Sequence, residues 1–196
     1  PSVYELGNLA TGINNLNPEE SESIDIGVSK FFDKYNSLNA SFFKSEISNR
    51  IDWTSGGYDN INTLEERQGF EFDYSFKPLE NLNGLFSLTR TSDENGDKIR
   101  RVPLNQYVFN IDYIFNNSIN SSIEYKYVNG LKDGSDLPDY NLVNTKINYK
   151  IKNSNLSLND LNLYFKIVNL LNEEYQLVKD YGTSDRAFYV GIEGEF

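Results

Sequence analysis

The chain contains no cysteine, no histidine and no methionine. Lacking Cys, it can build neither a disulfide framework nor a thiolate metal site. Lacking His, it is without the commonest general base and metal ligand, which argues against hydrolases built on Ser-His or Cys-His pairs, a barrel phospholipase among them. Cations are scarce: 18 Lys and Arg stand against 29 Asp and Glu, a net charge of -11. Phosphate backbones are held by clustered Lys and Arg, so nucleic acid is not an expected partner, and the acidity otherwise serves solubility. No apolar run reaches about 18 residues and none of these residues reads as a secretory leader, so no helical membrane span is expected in this stretch. A β-barrel is not excluded, because a spanning strand needs only about 9 to 11 residues with every second one apolar. A sequence that starts at Pro1 and has no Met is expected to be a piece of a longer protein.

What the chain does contain is alternation. Ile24, Ile26 and Val28 stand opposite Asp25, Gly27 and Ser29, and Phe70, Phe72, Tyr74 and Phe76 opposite Glu71, Asp73 and Ser75. The same period of two places Tyr107, Phe109, Ile111 and Tyr113 against Asn110 and Asp112, and Phe188, Val190 and Ile192 against Tyr189, Gly191 and Glu193. Successive strand side chains point to opposite faces, so each segment has one apolar and one polar side. Nine strands are predicted in all. Residues 1–20 read as loop, the second strand is expected to run from Leu38 to about Ile51, and polar loops are expected over residues 53–62 and 129–138. Connections after strands one, three and five are short, and those after two, four, six and eight are longer. The nine-residue link after strand seven departs from the trend. By pattern alone, a membrane barrel and a soluble β-sandwich both remain open.

Particular motifs decide between them. The C-terminal stretch Asn169-Leu170-Leu171-Asn172-Glu173-Glu174-Tyr175, followed by Tyr181-Gly182, Arg186 and a strand from Phe188 to Phe196, resembles the end of TonB-dependent outer-membrane receptors. The run from Asn15 to Glu22 and the strand Gly69-Phe70-Glu71-Phe72 resemble further segments of these receptors, and Arg100-Arg101-Val102-Pro103, Leu137-Pro138-Asp139-Tyr140-Asn141-Leu142-Val143 and the C-terminal stretch together most resemble the cobalamin receptor group. Tyr189, Gly191 and Phe196 resemble the signal read by the outer-membrane assembly machinery, although Gly194 stands where that signal usually has an aromatic or apolar residue.

The resemblance implies an all-β fold, an antiparallel transmembrane β-barrel segment. Bacterial single-chain barrels close with an even strand number, so nine strands are expected to be the last nine of a plugged barrel of about 22. Residues 1–20 would be an extracellular loop segment and residues 21–196 the C-terminal part of the barrel in a Gram-negative outer membrane. The implied function is TonB-driven uptake of a scarce chelate, cobalamin ahead of a ferric siderophore, with a passive porin-like channel as the alternative. Lipid, the assembly machinery and the TonB complex, reached through a part outside this chain, are the implied partners. No cofactor is expected, and the calcium sites of such receptors would lie outside the chain. Ligand-contact candidates are Trp53, Tyr58, Asp97, Arg100, Tyr140, Tyr181 and Arg186, since aromatic side chains offer flat apolar area to a corrin or siderophore ring. Each also has a plainer reading, as a girdle residue or a loop anchor. Carboxylates such as Glu71, Asp73, Glu193 and Glu195 are explained by a solvated lumen without catalysis.

Overall fold

The computed structural model describes residues 1–54, 56–61, 64–151 and 160–195. A short helix, α1 (Val3–Leu6), precedes the strands β1 (Glu20–Phe31), β2 (Ser37–Ser48), β3 (Arg50–Trp53), β4 (Tyr58–Ile61), β5 (Glu65–Leu79), β6 (Leu82–Ser92) and β7 (Asn105–Ile114). There follow β8 (Ile119–Asn129), β9 (Lys132–Asp133), β10 (Ser135–Asp136), β11 (Tyr140–Ile151), β12 (Asp160–Val168) and β13 (Ala187–Glu195). Nine of them form one antiparallel meander in the order β1-β2-β5-β6-β7-β8-β11-β12-β13. The remaining four make two hairpins, β3 with β4 and β9 with β10.

Register converts the alternation of each strand into two continuous faces. Ile26 pairs with Phe42 and Phe42 with Phe70. Phe86 pairs with Phe109, Phe109 with Tyr125 and Tyr125 with Val143. The row ends where Ile147 meets Phe165 and Phe165 meets Val190. Aromatic contacts knit this face across strands, as between Phe76 and Phe109 at 6.2 Å and between Phe165 and Phe188 at 6.3 Å, the pairings that stabilise sheets. The opposite face is held by polar cross-strand bonds. Ser87 Oγ donates to Asp73 Oδ1 at 2.6 Å, Asn144 Nδ2 to Glu124 Oε1 at 2.8 Å and Asn148 Nδ2 to Asn120 Oδ1 at 2.7 Å.

Burial is inverted relative to a water-soluble sheet. Ile26 is 69% exposed and Val190 78%, while the polar face is bonded across its strands. No second layer covers the apolar side among the described residues, as a sandwich would require. The buried apolar residues, among them Leu16, Ile99, Val128, Leu131, Leu137 and Tyr140, gather instead at one end of the sheet. Val128 and Tyr140 are register partners on the polar-face parity, so this small core lies on the inner side, beneath the long loops.

Connections alternate. Residues 32–36, 80–81 and 115–118 turn tightly at one end, while residues 49–64, 93–104, 130–139 and 169–186 form the longer links at the other. The link after β11 lies outside the described residues. Three local expectations need correction. The second strand stops at Ser48, because Asn49 takes a left-handed φ of 53° and directs residues 50–53 into the β3–β4 hairpin. The expected loops over residues 53–62 and 129–138 contain that hairpin and β9–β10, and residues 1–20 include α1, closed by a Ser2/Glu5 capping box. Loss of alternation after Lys44 is the sequence trace of the first change. The Asp133-Gly134 pair, a hairpin signal, is the trace of the second.

Candidate functional site

The long-loop end carries most of the residues singled out from the sequence. Asp133, on β9, organises it. The residue is only 7% exposed, and its carboxylate accepts from Arg100 Nε at 2.7 Å, from Arg101 Nη2 at 3.1 Å and from the Lys179 backbone N–H at 3.2 Å. One carboxylate thereby ties the loop of residues 93–104 and the last loop, residues 169–186, to its own hairpin. Hydrogen bonds from Arg100, then Arg101, lower its pKa to about 2; burial opposes them and the Lys179 amide adds to them. The same contact raises the Arg100 pKa, chiefly through its hydrogen bond to Asp133. Arg101 sits at φ 60°, a conformation that costs a bulky side chain energy and needs support from its surroundings. That support is visible: its backbone N–H donates to Lys132 O at 2.8 Å.

Asn169 is the second organiser. It is 2% exposed and has φ 55°, a left-handed setting that Asn tolerates better than most residues. Its Oδ1 accepts from the Glu173 N–H at 2.9 Å, its Nδ2 donates to Glu173 O at 2.9 Å, and its own N–H donates to Asn144 Oδ1 at 2.9 Å. The turn of the last loop is thus bonded to the inner wall of β11. Tyr140, buried at the start of β11, stacks on Tyr175 of the last loop with centroids 4.5 Å apart.

The other candidates fall into three groups. Trp53 and Tyr58 meet edge to face at 5.2 Å across the β3–β4 hairpin, and Tyr4 of α1 adds a third ring 6.1 Å from Tyr58. The N-terminal segment is strapped there by Tyr58 N–H to Asn8 O at 2.8 Å and Ala10 N–H to Tyr58 O at 2.9 Å. Arg100 lines a cavity of about 450 Å³ with Arg50, Arg67, Arg101, Asp52 and Glu65, in which Arg50 pairs with Glu65 and Asp52. Asp97, Tyr181 and Arg186 are exposed and stand apart. The Asp97 backbone N–H donates to Asp93 Oδ1 at 2.7 Å, and that of Arg186 to Asn172 Oδ1 at 3.0 Å.

Below the loops the inner wall forms a second concavity of about 400 Å³, where Glu124, Asn144, Lys146, Tyr164 and Lys166 converge. Lys146 Nζ lies 4.5 Å from the centre of the Tyr164 ring. That ring covers Gly191 of β13, where even a methyl group would collide with it. This packing gives Gly191 a role in the wall, whatever else reads it. Tyr189 flanks Lys166 at 6.0 Å, and Phe196 lies outside the described residues. Among the described residues no cluster of carboxylates is arranged to hold a metal ion.

Sequence reasoning missed Asp133, Asn169, Arg101 and Tyr175 as organisers. Asn169 was findable, since an Asn closing a strand is a common left-handed stop. Asp133 gave no such signal, because its partners lie 33 and 46 residues away.

An antiparallel meander with an exposed apolar face, a bonded polar face and loops of alternating length is a segment of an outer-membrane β-barrel wall. A family profile described as "TonB dependent receptor-like, beta-barrel" matches residues 1–170, and the chain belongs to that family. Over 210 aligned positions it is 26% identical to the vitamin B12 transporter BtuB of Vibrio cholerae serotype O1, covering 100% of this chain and 33% of that protein. The chain therefore spans about a third of the length of this curated relative. Its fold matches the copper transporter OprC with a TM-score of 0.77, at 16% identity over 98% of this chain and 35% of OprC. The FrpB iron transporter from Neisseria meningitidis gives a TM-score of 0.70 at 13% identity, over 96% of this chain and 32% of FrpB. These structures share the fold. Membership of the family places the chain in the Gram-negative outer membrane.

Proposed function

We propose that the chain forms the C-terminal wall and mouth of a TonB-dependent transporter that takes up a scarce chelate, cobalamin in preference to a ferric siderophore. The observation that carries this reading is the end-to-end similarity to the vitamin B12 transporter of Vibrio cholerae. The exposed apolar face would lie against lipid and the polar face against the lumen and plug. TonB would be engaged by a part of the protein outside this chain, and β13 would meet the assembly machinery.

In this reading the ligand is met first by the Tyr4, Trp53 and Tyr58 rings, which present apolar area suited to a flat macrocycle. Arg100, Asp97, Tyr181 and Arg186 are the polar and aromatic contacts around the mouth. Tyr140 acts through Tyr175, as the support of the last loop. Asp133 keeps three loops in one arrangement, which reduces the ordering cost of binding.

The test is calorimetric titration of the full-length receptor with cyanocobalamin and, separately, with a ferric siderophore. Cobalamin is expected to bind, and Trp53→Ala to weaken it roughly tenfold. Tight binding of the siderophore alone would contradict the cobalamin assignment. Binding of neither would leave the passive channel.

A further inference from the structure

We infer that Asn60 is a positioning residue for ligand capture. Its side-chain amide fastens residues 8–19 across the β3–β4 hairpin as a strap, and the strap sets Tyr4 beside Tyr58 and Trp53 as one platform. This assignment rests on the reading of those rings as the first ligand contacts.

The hairpin needs a third element. Its strands pair over only four residues each, Arg50–Trp53 with Tyr58–Ile61, and an isolated two-stranded hairpin is marginally stable at best in water. The N-terminal segment supplies what is missing. Leu9 bridges Tyr58 in parallel, alongside the backbone bonds that join Tyr58 to Asn8 and Ala10, and Glu19 Oε1 accepts from the Ile51 N–H of β3 at 2.7 Å. Asn60 locks the arrangement. Its Oδ1 accepts from the Asn17 N–H at 2.7 Å, and its Nδ2 donates to Asn17 O at 3.1 Å and to Asn49 O at 2.6 Å. One side chain thus gives Asn17 the pair of bonds that a neighbouring strand would give, and also holds the left-handed corner at which the chain leaves β2. Both amide N–H donors and the carbonyl oxygen are in use.

Gly57 serves the same junction. It is buried, and a methyl group there would overlap the backbone of Leu9 and Ala10, so the strap can lie this close only over glycine. With the strap seated, the Tyr4 ring stands 6.1 Å from Tyr58, and Trp53 stands 5.2 Å from Tyr58, both edge to face. Tyr4 is 67% exposed and Trp53 54%, so both keep open ring area for a ligand. They belong to different loops, one before β1 and one after β2. Their spacing is therefore set by the strap and not by either loop alone. Rings held in place beforehand spare the ligand the cost of ordering them.

Calorimetric titration of the full-length receptor with cyanocobalamin, paired with hydrogen-exchange mass spectrometry of the same proteins, tests this. Asn60→Ala removes the amide, and Gly57→Ala displaces the strap while leaving the amide in place. Each is expected to raise exchange in residues 8–19 several-fold and to leave β7 and β8 as protected as in the wild type, which reports an intact wall. Each should weaken cyanocobalamin binding roughly tenfold, the scale of re-ordering one or two side chains at an interface. Adding Tyr4→Ala to Asn60→Ala should weaken binding little further, because the strap that places Tyr4 is already released; a general effect of Asn60 on folding would add in full. Wild-type affinity in a variant whose strap is released, unchanged exchange in residues 8–19, or full additivity with Tyr4→Ala would overturn the inference alone. Absence of cyanocobalamin binding by the wild type would overturn it together with the cobalamin reading.

Discussion

Asp133 accepts from three groups that belong to two other loops, and no other carboxylate among the described residues does so. Its folded pKa of about 2 lies below the ordinary 3.8, so the stabilisation it provides is complete well above pH 3.8 and is lost as the pH falls through that value toward 2. Amide exchange in residues 93–104 and 169–186 is therefore expected to rise several-fold over that window. In Asp133→Asn, exchange should already be elevated at neutral pH and change little further on acidification. Hydrogen-exchange mass spectrometry of the full-length receptor reads both. Identical profiles for the two proteins would remove Asp133 from its organising role.

At the scale of the strands, the decisive feature is which parity meets lipid. Val190 on β13 points to the apolar side, and Asn148 on β11 to the polar side. Placing Arg at position 190 is expected to cost about 2–4 kcal/mol if that level lies near the bilayer midplane, whereas Asn148→Arg should cost well under half as much. Urea unfolding of the full-length receptor in lipid vesicles measures both, and equal costs would contradict the assignment of faces. This level of organisation was the most legible in the sequence. All nine long strands follow from a period of two, because a strand that faces lipid on one side and water on the other alternates over the part that crosses the apolar layer, as β2 does up to Lys44. The loop end was less legible. Its hairpins are short and polar, their pairing depends on left-handed turns such as that at Asn49, and the Asp133 contacts join residues remote in sequence. Tyr140 was singled out for its place near the rim, but its burial against Tyr175 depends on how the last loop folds back, which no local pattern reports.

At the scale of the molecule, a nine-stranded sheet with two open edges is a wall in need of the remainder of its barrel, since unpaired backbone groups in hydrocarbon cost several kcal/mol each. The vitamin B12 transporter it resembles is about three times as long as this chain. We propose that this wall serves energised uptake of cobalamin and not passive diffusion. Accumulation of labelled cobalamin in cells expressing the full-length receptor, with and without functional TonB, tests it most directly. Uptake that requires both the receptor and TonB is the predicted result. Uptake that persists unchanged without TonB, or no receptor-dependent uptake at all, would contradict it.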